Sequence, residues 1–354
     1  MTSDMSPAPD LLSDPGPPRK KARRLWLFAP YAALLTLIAA YGGFWVVSRL
    51  QLEKAIDDQA EAFRRSGYAV TLDGVRIDGF PFRLRVTIAG ARVAVPGGLA
   101  VEAAGLQGQA YLHAPDHWVL VAPQGLTVTR PKGGPMTVSG QALRASLVGL
   151  SGANWRIAAE GVKLAFAPKA GAAPFSLAAA DRIDLNMKPG PAGSGQALML
   201  IQLQGGKAAP GAMLHRLAGE ASVTALLDLK AGKAGAFQGA TWADAARAWS
   251  AAGGDVEIVR GEMQGGDAAV WARGGSLTAG RDGYLTGAVP LELRQAAKSL
   301  AALADQGLDP QTAKTTATIA AARDQGGSAS FNLVFQAGVT TLGPIKIGPA
   351  PRVF

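Results

Sequence analysis

From Phe82 to Ile88 apolar and polar residues alternate without a break. Phe82, Leu84, Val86 and Ile88 fall on one side and Arg83, Arg85 and Thr87 on the other, which is the period-two signature of a half-buried strand. The segment Val70 to Asp78 alternates in the same way on both sides of Gly74. Gly- and Pro-rich breaks follow at Pro96–Gly98, Pro131–Gly134 and Ala170–Pro174. Short alternating runs punctuated by such turns predict antiparallel β structure. Leu99 to Arg130 and Met136 to Ala167 share a layout, with Trp118 and Trp155 at equivalent places. This predicts a meander that adds strands one after another, with each Trp anchored in core under a bend.

After a Gly/Ala/Pro-rich stretch, Gly190 to Gly211, helices enter the pattern. Strands are predicted at 221–229, 255–262, 268–278, 284–294, 328–336 and 340–347. Thr241 and Asp244 form a capping-box-like start for a helix that buries Trp242, Ala245, Ala246 and Trp249 and ends at Gly253. A second helix is expected over 295–307. A third opens on Asp309 and Pro310 and ends before Gly326.

The period is helical before the strands. Leu52, Ile56, Ala60 and Phe63 share one face and Gly67 closes the segment, which predicts an amphipathic stalk. Upstream, Leu25 to Ser48 carries no charge over 24 residues. At about 1.5 Å per residue such a helix spans about 36 Å, enough for a hydrocarbon core of about 30 Å. Its anchor residues are Trp26, Leu27, Phe28, Tyr31, Leu34, Leu35, Leu37, Ile38, Tyr41, Phe44, Trp45, Val46 and Val47, with aromatics near both ends as in interfacial belts. Arg19, Lys20, Lys21, Arg23 and Arg24 precede it and act as topology determinants. The positive-inside rule then predicts a cytoplasmic N-terminus and an exported body. The run exceeds a usual signal-peptide core and Ile38-Ala39-Ala40 is a poor cleavage site, so an uncleaved anchor is expected. The expected organisation is a disordered basic tail (1–24), a transmembrane helix (25–48), a stalk (49–66), a β-meander half (67–210) and a β-sheet half with covering helices (211–354).

Composition narrows the function classes. The chain of 354 residues holds 48% apolar and 17% charged residues, against about 25% charged in ordinary soluble domains, which excludes wholesale disorder. Cysteine is absent, which excludes a disulfide scaffold, thiol catalysis and a lipoprotein anchor. Five of the 35 basic and three of the 26 acidic residues precede the anchor, which leaves the body 30 against 23, net +7. Such a body suits either attraction to anionic headgroups or an ordinary solvated surface with a slight positive excess. Nucleic acid is not an expected partner on the far side of a membrane.

The chemistry-bearing residues are sparse. His113 and His117 flank Ala-Pro-Asp116, predicted to be a turn, and His215 stands apart. There is no phosphate-binding loop and no nucleophile elbow, and Gly193-Ser-Gly195 lacks a third glycine. Neither a catalytic residue, a metal site nor a cofactor is expected. Arg83 and Arg85, which match phosphate with paired hydrogen bonds, are candidate lipid contacts, together with Leu84, Val86, Ile88, Trp118 and Trp155.

The run from Asp73 to Leu84 with its turn Gly79-Phe80-Pro81-Phe82, the anchor, the repeated meander and the C-terminal Gly343-Pro344 and Gly348-Pro349 together resemble an alphaproteobacterial envelope family, domain of unknown function 2125. More distantly the chain is similar to AsmA-like envelope proteins. That resemblance implies an inner-membrane helix, a periplasmic β-sheet curled into a trough, and a part in lipid handling. The combined expectation is a mainly β protein with a few helices, a long antiparallel curled meander behind one transmembrane helix and a stalk. Its partners would be membrane lipids and envelope proteins. Two alternatives remain: a non-catalytic scaffold that docks proteins along sheet edges, and an exported hydrolase with an unrecognised site.

Overall fold

The computed structural model describes residues 25–295 and 327–354, apart from Ser151 and Ala240. The tail 1–24 and the two helices expected between 295 and 326 lie outside the described residues. The chain separates into two compact units, Met1–Ser48 and Arg49–Phe354.

Anchor and stalk form one helix, α1 (Leu25–Arg65). It is long and apolar enough to cross a membrane. Phe28, Tyr31, Leu34, Leu35, Leu37, Ile38, Phe44, Val46 and Val47 are exposed along it, while Trp45 is buried. Such exposure fits an apolar solvent and would be costly in water. In the stalk Leu52 and Ile56 are half-buried and Ala60 is buried. Phe63 is exposed and meets the edge of the Tyr68 ring at 5.6 Å. Gly67, at φ +83°, ends the helix as the sequence predicts.

Among the described residues the second unit holds one sheet of 21 strands, and their pairings are antiparallel and join strands close in chain order. The first five arms are each broken once. They are β1 (Ala69–Asp73) with β2 (Arg76–Asp78), β3 (Arg83–Ile88) with β4 (Gly90–Ala94), β5 (Ala100–Ala103) with β6 (Leu106–Tyr111), β7 (Ala114–Val121) with β8 (Leu126–Arg130), and β9 (Gly134–Ser139) with β10 (Ala142–Val148). β3 pairs β6 while β4 pairs β5, and β7 pairs β10 while β8 pairs β9. A glycine stands in or next to each break: Gly74, Gly105, Gly125 and Gly140 in the breaks, and Gly90 just after Ala89. The breaks lie side by side across the register, so they form a crease where the sheet turns. Gly125 shows why the residue is needed: its φ is +79° and an added Cβ would stand 2.5 Å from the Val138 carbonyl oxygen.

The strands then lengthen: β11 (Arg156–Pro168), β12 (Leu177–Pro189), β13 (Ala197–Ala208), β14 (Val223–Ala231) and β15 (Val256–Gly265). β16 (Ala268–Ala272), β17 (Ser276–Ala279), β18 (Leu285–Arg294), β19 (Ser328–Gln336), β20 (Val339–Leu342) and β21 (Ile345–Pro349) complete the sheet. β13 pairs β14, so the halves expected on either side of residue 210 share one sheet. The stretch Gly190 to Gly211, expected as a break in texture, contains β13. Its run Ala197-Leu-Met-Leu-Ile201 is apolar on both faces and shows no period.

Helix α2 (Met213–Ala218) lies against β13 and β15, with Leu214, Leu217 and Ala218 near Val223 and Met263. Helix α3 (Trp242–Ala251) starts where predicted, the Asp244 N–H donating to Thr241 Oγ1 at 3.1 Å. Trp249 is buried and its Nε1 donates to the Gly232 carbonyl at 2.7 Å, whereas Trp242 is exposed.

Three local expectations change. The β3 strand begins at Arg83, so Phe82 belongs to the turn and is 68% exposed. Phe82 fits the alternation of Leu84, Val86 and Ile88 by position alone, one residue before the strand begins. His113 lies in a turn with Leu112, and Pro115, Asp116 and His117 lie within β7. Trp118 is inside a strand whereas Trp155 precedes one, and both are half-buried, so neither is a core anchor and the two repeat copies differ in layout.

One sheet face carries cross-strand ion pairs. Arg182 bridges Glu160 at 2.8 Å and Asp184 at 2.6 Å, and Arg144 pairs with Glu160 as well. Lys163–Asp181 (2.7 Å), Lys230–Glu257 (2.5 Å) and Arg260–Glu262 (2.7 Å) extend the ladder. The hydrogen bond and charge of Lys163 hold the Asp181 carboxyl below its ordinary range, and the hydrogen bond from Arg260 does the same for Glu262. A depressed folded-state pKa stabilises above the unfolded value of about 4 and is lost as pH falls through the lower folded value. Thermal melts should therefore be flat from neutral pH down to about 5 and fall below about 4, with a smaller fall in Glu262→Gln. In the C-terminal core Leu342 is 2% exposed among Leu293, Ala329 and Phe331. Leu342→Ala should cost about 2–5 kcal/mol in chemical denaturation.

Candidate functional site

Directly opposed residues in an antiparallel ladder point to the same face. Following the register from β7 to β15 therefore sorts side chains into rows. One row is Leu120, Ala145, Ala159, Leu185, Ile201, Leu227 and Gly261. A second is Trp118, Leu147, Ile157, Met187, Met199, Leu229 and Ile258. A third is Leu143, Gly161, Ile183, Leu203, Ala225 and Met263. None of these residues is charged. The alternate row reads Arg144, Glu160, Asp184, Gln202, Leu226 and Glu262 and carries the ion-pair ladder.

The apolar face is sealed at both ends and open between them. Leu84, Val86 and Ile88 are 4%, 6% and 8% exposed, and Leu293, Ala329, Phe331 and Leu342 are equally covered. From β10 to β15 the large apolar residues of the rows, among them Leu147, Ile183, Leu185, Met187, Ile201, Leu227 and Ile258, are only half-buried. At the crease the face lines an open cavity of about 320 Å³, bordered by Leu106, Leu120, Leu126, Leu143, Leu164, Ile183 and Leu185 among others. It lies within the size range of ligand pockets, about 300–1,000 Å³. Gly161 keeps it open beneath Leu164, because an added Cβ would stand 2.7 Å from Leu164 Cδ1. Lys163, at φ +51°, turns Leu164 to this side against strict alternation.

The candidate lipid contacts separate in this geometry. Leu84, Val86, Ile88 and Trp118 share the apolar face, the first three as covered core that a ligand would have to displace. Arg83 and Arg85 point the other way. Arg85 pairs with Asp78 at 3.7 Å, and Arg83 Nη2 donates to the Tyr111 hydroxyl at 3.2 Å. Trp155 lies outside the rows. Sequence reasoning missed Ile183, Leu185 and Met187, although their alternation with Asp184, Asn186 and Lys188 is a plain period of two. Among the described residues no group of three or more His, Asp or Glu could hold a metal ion.

The turn motif has a local cause. Gly79, at φ +108°, accepts a hydrogen bond from the Arg83 N–H at 3.0 Å, and an added Cβ would stand 2.8 Å from the Arg83 carbonyl oxygen. Gly343, at φ +58°, is the positive-φ residue between β20 and β21, followed by Pro344. Gly348 and Pro349 lie in β21.

No curated protein and no solved structure matches the chain. A family model does match, over residues 45–351, and its described content is an uncharacterized protein conserved in bacteria. The match takes in the end of the apolar helix, the turn Gly79–Phe82, the creased meander and the C-terminal strands, and the chain therefore belongs to the bacterial family DUF2125.

Proposed function

We propose that this is a single-pass inner-membrane protein of the bacterial envelope whose periplasmic body holds the acyl chains of lipids on its unroofed sheet face. The observation that carries this reading is the set of uncharged rows that stay half-exposed from β10 to β15. A sheet face of that kind must bury itself against something. Acyl chains suit it, since each buried methylene contributes about 0.8 kcal/mol. The contacts are directionless, so the face selects for a chain more than for a headgroup. The ends are closed by the protein's own core, which fits a holder or carrier better than an open conduit. The working chemistry in this reading is burial, with no bond made or broken.

A protease site placed after Ser48 would release the unit Arg49–Phe354 from protein inserted in membranes. Lipid extraction and mass spectrometry of the released unit should find bound phospholipid or fatty acid. Ala159→Phe fills the groove from its floor and should lower lipid occupancy while leaving the melting temperature unchanged. A folded, monodisperse and lipid-free released unit would contradict the reading.

A further inference from the structure

Away from the groove, the family's turn motif presents an exposed aromatic tip. Phe80 and Phe82, in the turn between β2 and β3, are 56% and 68% exposed, and Tyr111 beside them is 47% exposed. The neighbouring turn is tied to this one by the Leu112 N–H, which donates to the Phe82 carbonyl at 3.0 Å. The Arg83 guanidinium lies 4.8 Å from the Tyr111 ring centroid, and the His113 ring lies 5.2 Å from it. β2 and β3 carry three guanidiniums, on Arg76, Arg83 and Arg85, against the single carboxylate of Asp78, which Arg85 engages.

We infer that this tip is a membrane-contact site that seats its aromatic rings in the interface of an anionic bilayer. Phe and Tyr rings flanked by cations suit the headgroup level, where rings meet acyl carbons and guanidiniums meet phosphates. A pocket on a protein would need to cover all three rings and also match an excess of positive charge. The Gly79 turn, closed by the Arg83 N–H to Gly79 carbonyl bond, holds the exposed rings in place in advance, so little order has to be gained on contact. The tip and the apolar groove use different residues, and either can fail without the other.

The chain has no cysteine, so a single introduced thiol reports one position. Full-length Phe82→Cys and, as the reference on the same body, Ser194→Cys would each carry an environment-sensitive fluorophore. The protein would be reconstituted in vesicles of phosphatidylethanolamine and phosphatidylglycerol, with or without brominated acyl chains. The label at 82 should be blue-shifted and quenched about twofold by the brominated lipid, as expected at interfacial depth, and the label at 194 should be neither. Vesicles of phosphatidylcholine alone should weaken the quench at 82. If Phe82→Cys melts below the parent protein, Tyr111→Cys carries the same test. Water-like, unquenched emission at 82 would overturn the inference. So would a blue shift found only in native membranes and not in pure lipid, which would point to a protein partner.

Discussion

Cross-strand registry is the constraint on which the rest of the structure depends. In an antiparallel ladder each residue shares a face with the residue opposite, so a slip of one position would move every side chain of a strand to the other face. From β7 to β15 the pairing keeps apolar residues opposite apolar ones along each row, with register shifts at Leu177/Ala179, Leu203/Gly206 and Asp228/Leu229, and the consequence is two chemically unlike surfaces on one sheet. Ile183, Leu185 and Met187 stand on one side, while Arg182, Asp184 and Asn186 stand on the other. The ion pairs Arg144–Glu160–Arg182–Asp184 stitch three strands together on the polar side. Each exposed pair is worth little alone. A slip of one residue would break all of them and put charge on the apolar face.

The crease decides what the apolar face can do. A flat sheet of this kind would offer a broad greasy plane, open to edge and face association. Glycines at the breaks in the first five arms let the sheet turn, and Leu106 and Leu126 approach the same cavity from the two sides of the crease. The ends are closed by buried side chains, Leu84 and Val86 near one end and Phe331 and Leu342 near the other. The middle stays open where small residues, Ala145, Ala159 and Gly161, form the floor.

Much of this was legible in the sequence. The apolar run Leu25 to Ser48, the alternation over β3, the Thr241 cap and the strand Ser328–Gln336 follow directly from period and capping rules. The groove was less legible because its strands mix signals. β13 is apolar on both faces, so its period disappears, and β11 is rich in Ala and Gly, which have little preference for strand. Phe82 misled for the opposite reason: its alternation ran on past the end of the strand into a turn that Gly79 imposes. The polar ladder was hidden because residues far apart in sequence, such as Arg144 and Arg182, meet one carboxylate only through register.

The central claim is that the face from β10 to β15 is reached by acyl chains while its reverse is not. Photolabelling of the intact protein in membranes with a diazirine-bearing fatty acid, mapped residue by residue, tests it most directly. Adducts confined to positions such as Leu143, Ile183, Leu185 and Ile201, and absent from Arg182, Asp184 and Gln202, are the predicted result. Adducts spread over both faces, or found only within α1, would contradict it.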